Sequence, residues 1–147
     1  MDELKDKTEI NFPVKLRLRI DWSELDTFGH VNNLSIFKYV QSARVKYLDK
    51  IGLFKMHRES NIGPILASCK CEFYRPLFFP GQVTVQSRME FIKNTSFCIS
   101  HRIVDGNELL AAEARDIIVL FDFNENKKVT LPQNVRRRIE KLESRSF

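Results

Sequence analysis

Four polar residues, Asp26, His30, Asn32 and Asn33, fall within the stretch DTFGHVNN, immediately ahead of a long apolar periodicity. An acid, a histidine and two amides gathered at the start of a helix are groups that can handle charge. Free backbone N–H groups and the positive end of a helix dipole point at whatever lies there, and they stabilise a developing oxyanion without a metal. Either asparagine can cap the helix, with Asp26 and His30 a few residues upstream. Taken singly, each residue also has a structural use. Asp26 suits a turn, His30 a structural hydrogen bond and Asn32 a cap, while Asn33 acts through its main chain.

The elements that must position these groups follow from the pattern of apolar residues. Leu34, Phe37, Val40, Ala43, Tyr47, Leu48 and Ile51 recur at the three-and-four spacing of one buried helical face, and Gly52 provides a C′ stop. Ahead of the loop, Val14, Leu16, Leu18 and Ile20 alternate with Lys15, Arg17, Arg19 and Asp21, a strand with one wet side. Residues 1–12 read as a loose lead-in and residues 56–63 as a polar connection. Residues 64–79 read as a long strand in which Ile65, Ala67, Cys69, Cys71 and Phe73 share a face, and Pro76 must be an end, an edge or a bulge. Pro80-Gly81 makes a turn, and strands follow over 82–92, 95–104 and 108–123. Lys93-Asn94 and the short-hairpin signal Asp105-Gly106 separate them. After a polar break at 124–128, Pro132 suits the first turn of a helix over 132–143, with Arg136, Arg137 and Arg138 on a solvated face.

This order predicts an α+β fold: a curved antiparallel sheet wrapped around one long central helix, plus a C-terminal helix, in a single domain over 1–147 with its core at 14–123. Exposed edge strands invite pairing with a second copy. The bulk numbers agree, since 147 residues with 43% hydrophobic and 29% charged side chains suit one globular domain. The charged start has no apolar h-region and no run of 18 apolar residues occurs, so a cytoplasmic protein without stable membrane insertion is expected. Three cysteines argue against a disulfide framework, and Cys69-x-Cys71 with no histidine nearby is a poor metal site, so no metal is expected. The net charge of +5 is concentrated towards the C-terminus without an aromatic-basic signature. A phosphate-bearing ligand suits it better than nucleic acid.

DTFGHVNN with the following Tyr39 and Ala43-Arg44, and then Glu72-Phe73-Tyr74-Arg75-Pro76 ahead of a Gly-containing turn, resembles the hotdog-fold acyl-CoA thioesterases. The resemblance is to the 4-hydroxybenzoyl-CoA thioesterase-like family, in its long-chain acyl-CoA thioesterase branch, and it spans about 14–123. It implies hydrolysis of a fatty acyl-CoA to free acid and coenzyme A, with no cofactor beyond the coenzyme A of the substrate. It also implies a homodimer or homotetramer with active sites at the dimer interface. Carried over by position, the catalytic acid falls on Asp26 and the oxyanion-stabilising N–H on Asn33, with His30 positioning the turn or touching the substrate.

Thioester hydrolysis needs a group that takes a proton from water, or a carboxylate that itself attacks, together with donors for the carbonyl oxygen. Asp26 fits either role. Substrate-binding candidates are Asn32, Phe37 on an acyl tunnel, Glu72 as a second polar group, and Arg75 and Lys93 for the coenzyme A phosphates. Two departures matter. Gln41 stands where many relatives carry a glutamate, and Asn33 where some branches carry a histidine. The alternatives are a hydratase or dehydratase of the same fold using Asp26 and His30, and a non-catalytic acyl-CoA- or lipid-binding dimer.

Overall fold

The computed structural model describes residues 10–147; the lead-in expected at 1–12 therefore lies mostly outside the described residues. The chain runs β1 (Val14–Arg19), a 3₁₀ turn (Trp22–Glu24), α1 (Asn33–Lys50), α2 (Leu53–Ser60), β2 (Ile62–Phe73), β3 (Gln82–Ile92), β4 (Ser96–Asp105), β5 (Leu110–Asp122), β6 (Lys127–Lys128) and α3 (Gln133–Glu143). All strand pairs are antiparallel, in the order β1-β3-β4-β5-β2, with the two-residue β6 against β5. The curved sheet wraps around α1, the architecture expected.

The buried face of α1 is Ser35, Ile36, Tyr39, Val40, Ala43, Tyr47 and Leu48. Its first half packs with Ile20, Val31, Leu77, Val83, Val85 and Ile103 and with the alanines of β5. Its second half packs with Met89, Phe97, Ile99 and Leu120 and is closed by Val135 and Ile139 of α3. Val40, Ala43, Tyr47, Leu48 and Ile51 are buried as the sequence pattern predicts, and the departure is confined to the first turns. Leu34 is 68% exposed and Phe37 only half-buried, because these two belong to a flanking stripe that faces the β2 side.

Several boundaries differ from the sequence reading. Residues 53–60 form a helix, where a polar connection was expected from 56. Gly52, at φ +80°, ends α1 and starts α2, and fully buried Leu53 anchors the new helix to the core. Strand β2 begins at Ile62 and stops at Phe73, with Pro76 beyond its end. Pro64 is tolerated inside the strand because β2 is an edge.

The β4–β5 hairpin is longer than Asp105-Gly106 suggests. Asp105 Oδ1 accepts the amides of Asn107 and Leu109 at 2.8 and 3.0 Å, and Glu108 takes the left-handed φ of 62°. Pro132 is the N-cap of α3 and not part of its first turn. In the arginine triplet only Arg137 is simply solvated. Arg136 donates to the Phe147 carbonyl at 2.9 Å, and Arg138 lies 3.5 Å from the Ile51 carbonyl at the end of α1.

The three cysteines are free. Burial pushes the Cys69 thiol up to about 12 and those of Cys71 and Cys98 up to about 11, so they pack as small apolar groups. Among the described residues no cluster of three His, Cys, Asp or Glu side chains is placed to hold a metal ion, and no helix is long and apolar enough to cross a membrane.

Candidate active site

The loop between the 3₁₀ turn and α1 is closed at its neck. Leu25 and Val31 form an isolated antiparallel bridge, the Asn32 amide donates to the Glu24 carbonyl at 2.9 Å, and the Val31 amide donates to the Leu77 carbonyl at 2.9 Å. Within that neck Asp26 organises residues 26–30. Its amide donates to the His30 carbonyl at 2.7 Å and its carbonyl accepts from Gly29 at 3.1 Å. Carboxylate Oδ1 accepts from the amides of Phe28 and His30 at 2.9 and 3.2 Å. Gly29 supplies the φ of +83° that this tight return requires. Among the described residues no donor engages Oδ2, so one oxygen of an exposed carboxylate is left for a ligand.

The helix start is adjacent. Asn32 Oδ1 accepts the Ser35 amide at 2.9 Å and so caps α1. The first-turn amides of Asn33 and Leu34 have no acceptor among the described residues, as the geometry of a helix end dictates. Asp26, His30, Asn33, Ile36, Phe73 and Arg75 line a cleft of about 320 Å³. Asp26 and Asn33, the first residue of an 18-residue helix, thus line one concave site at the positive end of that helix.

Of the residues singled out in the sequence, Asp26, His30, Asn33 and Arg75 meet in this cleft. The His30 imidazole packs edge-on against Phe78, with centroids 5.2 Å apart, and its tie to Asp26 runs through the main chain. The Asn32 side chain is committed to capping. Phe37 stacks edge-on with Phe73, centroids 6.3 Å apart, at the border of the cleft.

Glu72 and Lys93 lie elsewhere. Strand neighbours point to opposite faces, so with Phe73 in the cleft Glu72 lines a separate cavity of about 670 Å³ with Lys70, Arg88 and Arg115. Lys93 follows the far end of the 11-residue β3, roughly 35 Å along the strand from the end nearest the cleft. Its ammonium sits over the Phe91 ring, 5.3 Å from the centroid.

A second polar constellation was not anticipated. Ser87 Oγ lies 2.7 Å from His101 Nδ1, His101 Nε2 lies 2.7 Å from Asp116 Oδ2, and Arg44 Nε donates to the same oxygen at 2.8 Å. The residues are those of a hydrolytic triad, but Ser87, the would-be nucleophile, is fully buried and His101 and Asp116 are at most 1% exposed. The chain is a brace that crosses β3, β4 and β5 and fastens them to α1. Burial opposes ionisation of Asp116, and the bonds from His101 and Arg44 outweigh it, holding the carboxyl down at about 2.

Comparison with known proteins bears on the cleft. The model of the thioesterase-like superfamily matches residues 20–139. The long-chain acyl-CoA thioesterase FadM of Escherichia coli is 21% identical over 130 residues, 88% of this chain and 98% of that protein. A thioesterase of Thermus thermophilus, solved in complex with coenzyme A and zinc, superposes with a TM-score of 0.82 at 26% identity, covering 92% of this chain and 98% of its own. A 1,4-dihydroxy-2-naphthoyl-CoA thioesterase from Synechocystis gives a TM-score of 0.76 at 19% identity, over 86% and 94% of the two chains. The family match spans the sheet except β1, the central helix and the loop that carries Asp26, and the chain belongs to the thioesterase-like superfamily, with the hotdog fold.

Proposed function

We propose that the protein hydrolyses fatty acyl-CoA thioesters, with Asp26 and the start of α1 as the reacting machinery. The observation that carries this reading is that Asp26, whose Oδ2 takes no donor among the described residues, lines the same cleft as Asn33 at the start of α1. Family membership supports the reaction class, and the apolar wall of Ile36 and Phe73, with Phe37 behind it, favours a fatty acyl group.

In one route Asp26 takes a proton from water as the water oxygen bonds to the thioester carbon. In the other the carboxylate itself forms that bond, and water then cleaves the resulting anhydride. In both routes the carbonyl oxygen gains charge facing the helix N–H groups, the C–S bond breaks, and coenzyme A leaves as a thiolate, which needs no strong acid. Arg75, at the cleft, is the basic side chain placed for a coenzyme A phosphate, a role for which Lys93 is too distant.

The cleft lies beside the free edge of β2, where Ile65, Leu66 and Phe73 are 38 to 48% exposed. A second copy paired along that edge would close it. Release of free thiol from a panel of acyl-CoAs by wild type and Asp26→Ala tests the reading. Loss of roughly a hundredfold or more in kcat is expected, and equal rates remove Asp26 from the mechanism. Rapid-quench mass spectrometry of single turnovers separates the routes, because an acyl group is found bound to Asp26 only if its carboxylate attacks.

A further inference from the structure

Two contacts of Glu24 tie the Asp26 loop to α1, and neither belongs to the cleft itself. The Glu24 carbonyl accepts the amide of Asn32, the residue that caps α1, at 2.9 Å. Its carboxylate Oε1 accepts the hydroxyl of Tyr39 at 2.8 Å and the amide of Asp21 at 2.7 Å. Tyr39 lies on α1 six residues beyond Asn33, roughly 9 Å along the helix axis. Its side chain is buried, 4% exposed. One residue at the neck of the loop is thus fixed to the helix at two separated points, through its main chain and through its side chain.

We infer that Tyr39 and Glu24 are positioning residues, a strut that sets the Asp26 carboxylate against the free amides at the start of α1. This rests on the hydrolytic reading of the cleft. The Asp26 loop is held at its neck by the Leu25–Val31 bridge, the Glu24–Asn32 bond and the Val31–Leu77 bond; beyond the neck its hydrogen bonds lie within residues 26–30, and only the His30 ring reaches out, to Phe78. With the strut gone, the Glu24 side of the neck keeps only its main-chain ties, and Asp26, two residues further on, can shift with it. Burial first and the Glu24 carboxylate second push the Tyr39 phenol above its ordinary pKa, so it remains a donor throughout the working pH range. A displacement of an ångström between a reacting group and its oxyanion donors costs a large factor in rate and leaves binding largely intact.

The test compares Tyr39→Phe, which removes only the hydroxyl, with Glu24→Ala and Glu24→Gln, the last keeping an acceptor at Oε1. Tyr39→Phe and Glu24→Ala are expected to lower kcat roughly ten- to a hundredfold with little change in KM. Glu24→Gln should restore most of that loss, and the Tyr39→Phe/Glu24→Ala double variant should be no worse than Glu24→Ala alone. Wild-type kcat in Tyr39→Phe, or losses that multiply in the double variant, overturn the inference.

Amide hydrogen exchange provides a readout independent of activity. Protection of the Asn32 and His30 amides should fall in Tyr39→Phe while protection across β3 and β4 is kept. A wild-type protein inert towards every acyl-CoA defeats the functional reading but leaves this arm to decide on the strut. Unchanged protection of both amides defeats the strut whatever the activity.

Discussion

Replacing Asp116 by asparagine should destabilise the protein by an amount that depends on pH in a defined direction. The carboxylate is fully buried and shared by Arg44 and His101, so asparagine, with one acceptor oxygen and an amide NH₂ in place of the second, removes the counter-charge of a buried guanidinium and sets a donor where an acceptor stood. Breaking one side of such a buried pair costs about 3–5 kcal/mol. Part of that cost titrates. The folded carboxyl is held at about 2 against an ordinary 3.8, and at about 1.36 kcal/mol per pH unit the difference is worth roughly 2.5 kcal/mol.

Because the folded form binds its proton less readily than the unfolded chain, this contribution is complete above about pH 4 to 5 and is lost as pH falls through 2. Urea unfolding of wild type and Asp116→Asn at intervals from pH 7 to pH 2 isolates it, since the other carboxylates titrate in both proteins. The stability difference should be flat down to about pH 5 and then shrink by roughly 2.5 kcal/mol. A difference that stays constant to pH 2 would show that Asp116 is not held ionised by its neighbours, and the account of the brace would fail.

Other expectations concern the cleft and the C-terminal helix. Asn33→Pro removes the amide assigned to the oxyanion at a position where proline is compatible with a helix start, and Asn32, at ψ 155°, already has the backbone that precedes proline comfortably. Thiol-release kinetics should show kcat lowered roughly a hundred- to a thousandfold, whereas Asn33→Ala, which keeps the amide, should stay near wild type. Glu143→Ala should lower stability by about 1–3 kcal/mol in chemical unfolding. The Glu143 carboxylate is buried and accepts both the Tyr47 hydroxyl, at 2.5 Å, and the Met89 amide, so its loss leaves two buried donors unpaired.

The strands and the central helix were legible because each is long enough to display its period, and the β3 limits read from the sequence coincide with those observed. The Asp26–Asn33 loop was legible because an acid, a glycine and a capping asparagine act on neighbours within four residues. Helix α2 escaped because its apolar residues, Leu53, Phe54 and Met56, all lie in its first half, and the charged and polar second half, His57 to Ser60, reads as a loop. Glu72 and Lys93 lie outside the cleft of their own protomer, since residue type says nothing of which sheet face or strand end a side chain occupies.

The brace left a trace that can be read in retrospect. Ser87 interrupts Val83, Val85 and Met89, His101 interrupts Ile99 and Ile103, and Asp116 interrupts Ala114 and Ile118, each on the buried phase of its strand. A polar residue on the dry side of three consecutive strands calls for partners, since each would otherwise be buried unsatisfied. The separations, 14 and 15 residues between the strand members and 72 from Arg44 to Asp116, put those partners beyond any local pattern.

The outer rim of β2 has a grain. Pro64 brings no amide to it, and the register with β5 slips between Leu66 and Ser68, so the portion of the rim nearest α2 is a poor template for any incoming chain. Only from residue 68 onward does the backbone run unbroken, up to Phe73. Whatever docks by extending the sheet is steered towards the end that holds Phe73. The irregularities that discourage indiscriminate stacking of one molecule on another also select the stretch along which an orderly neighbour can be accepted.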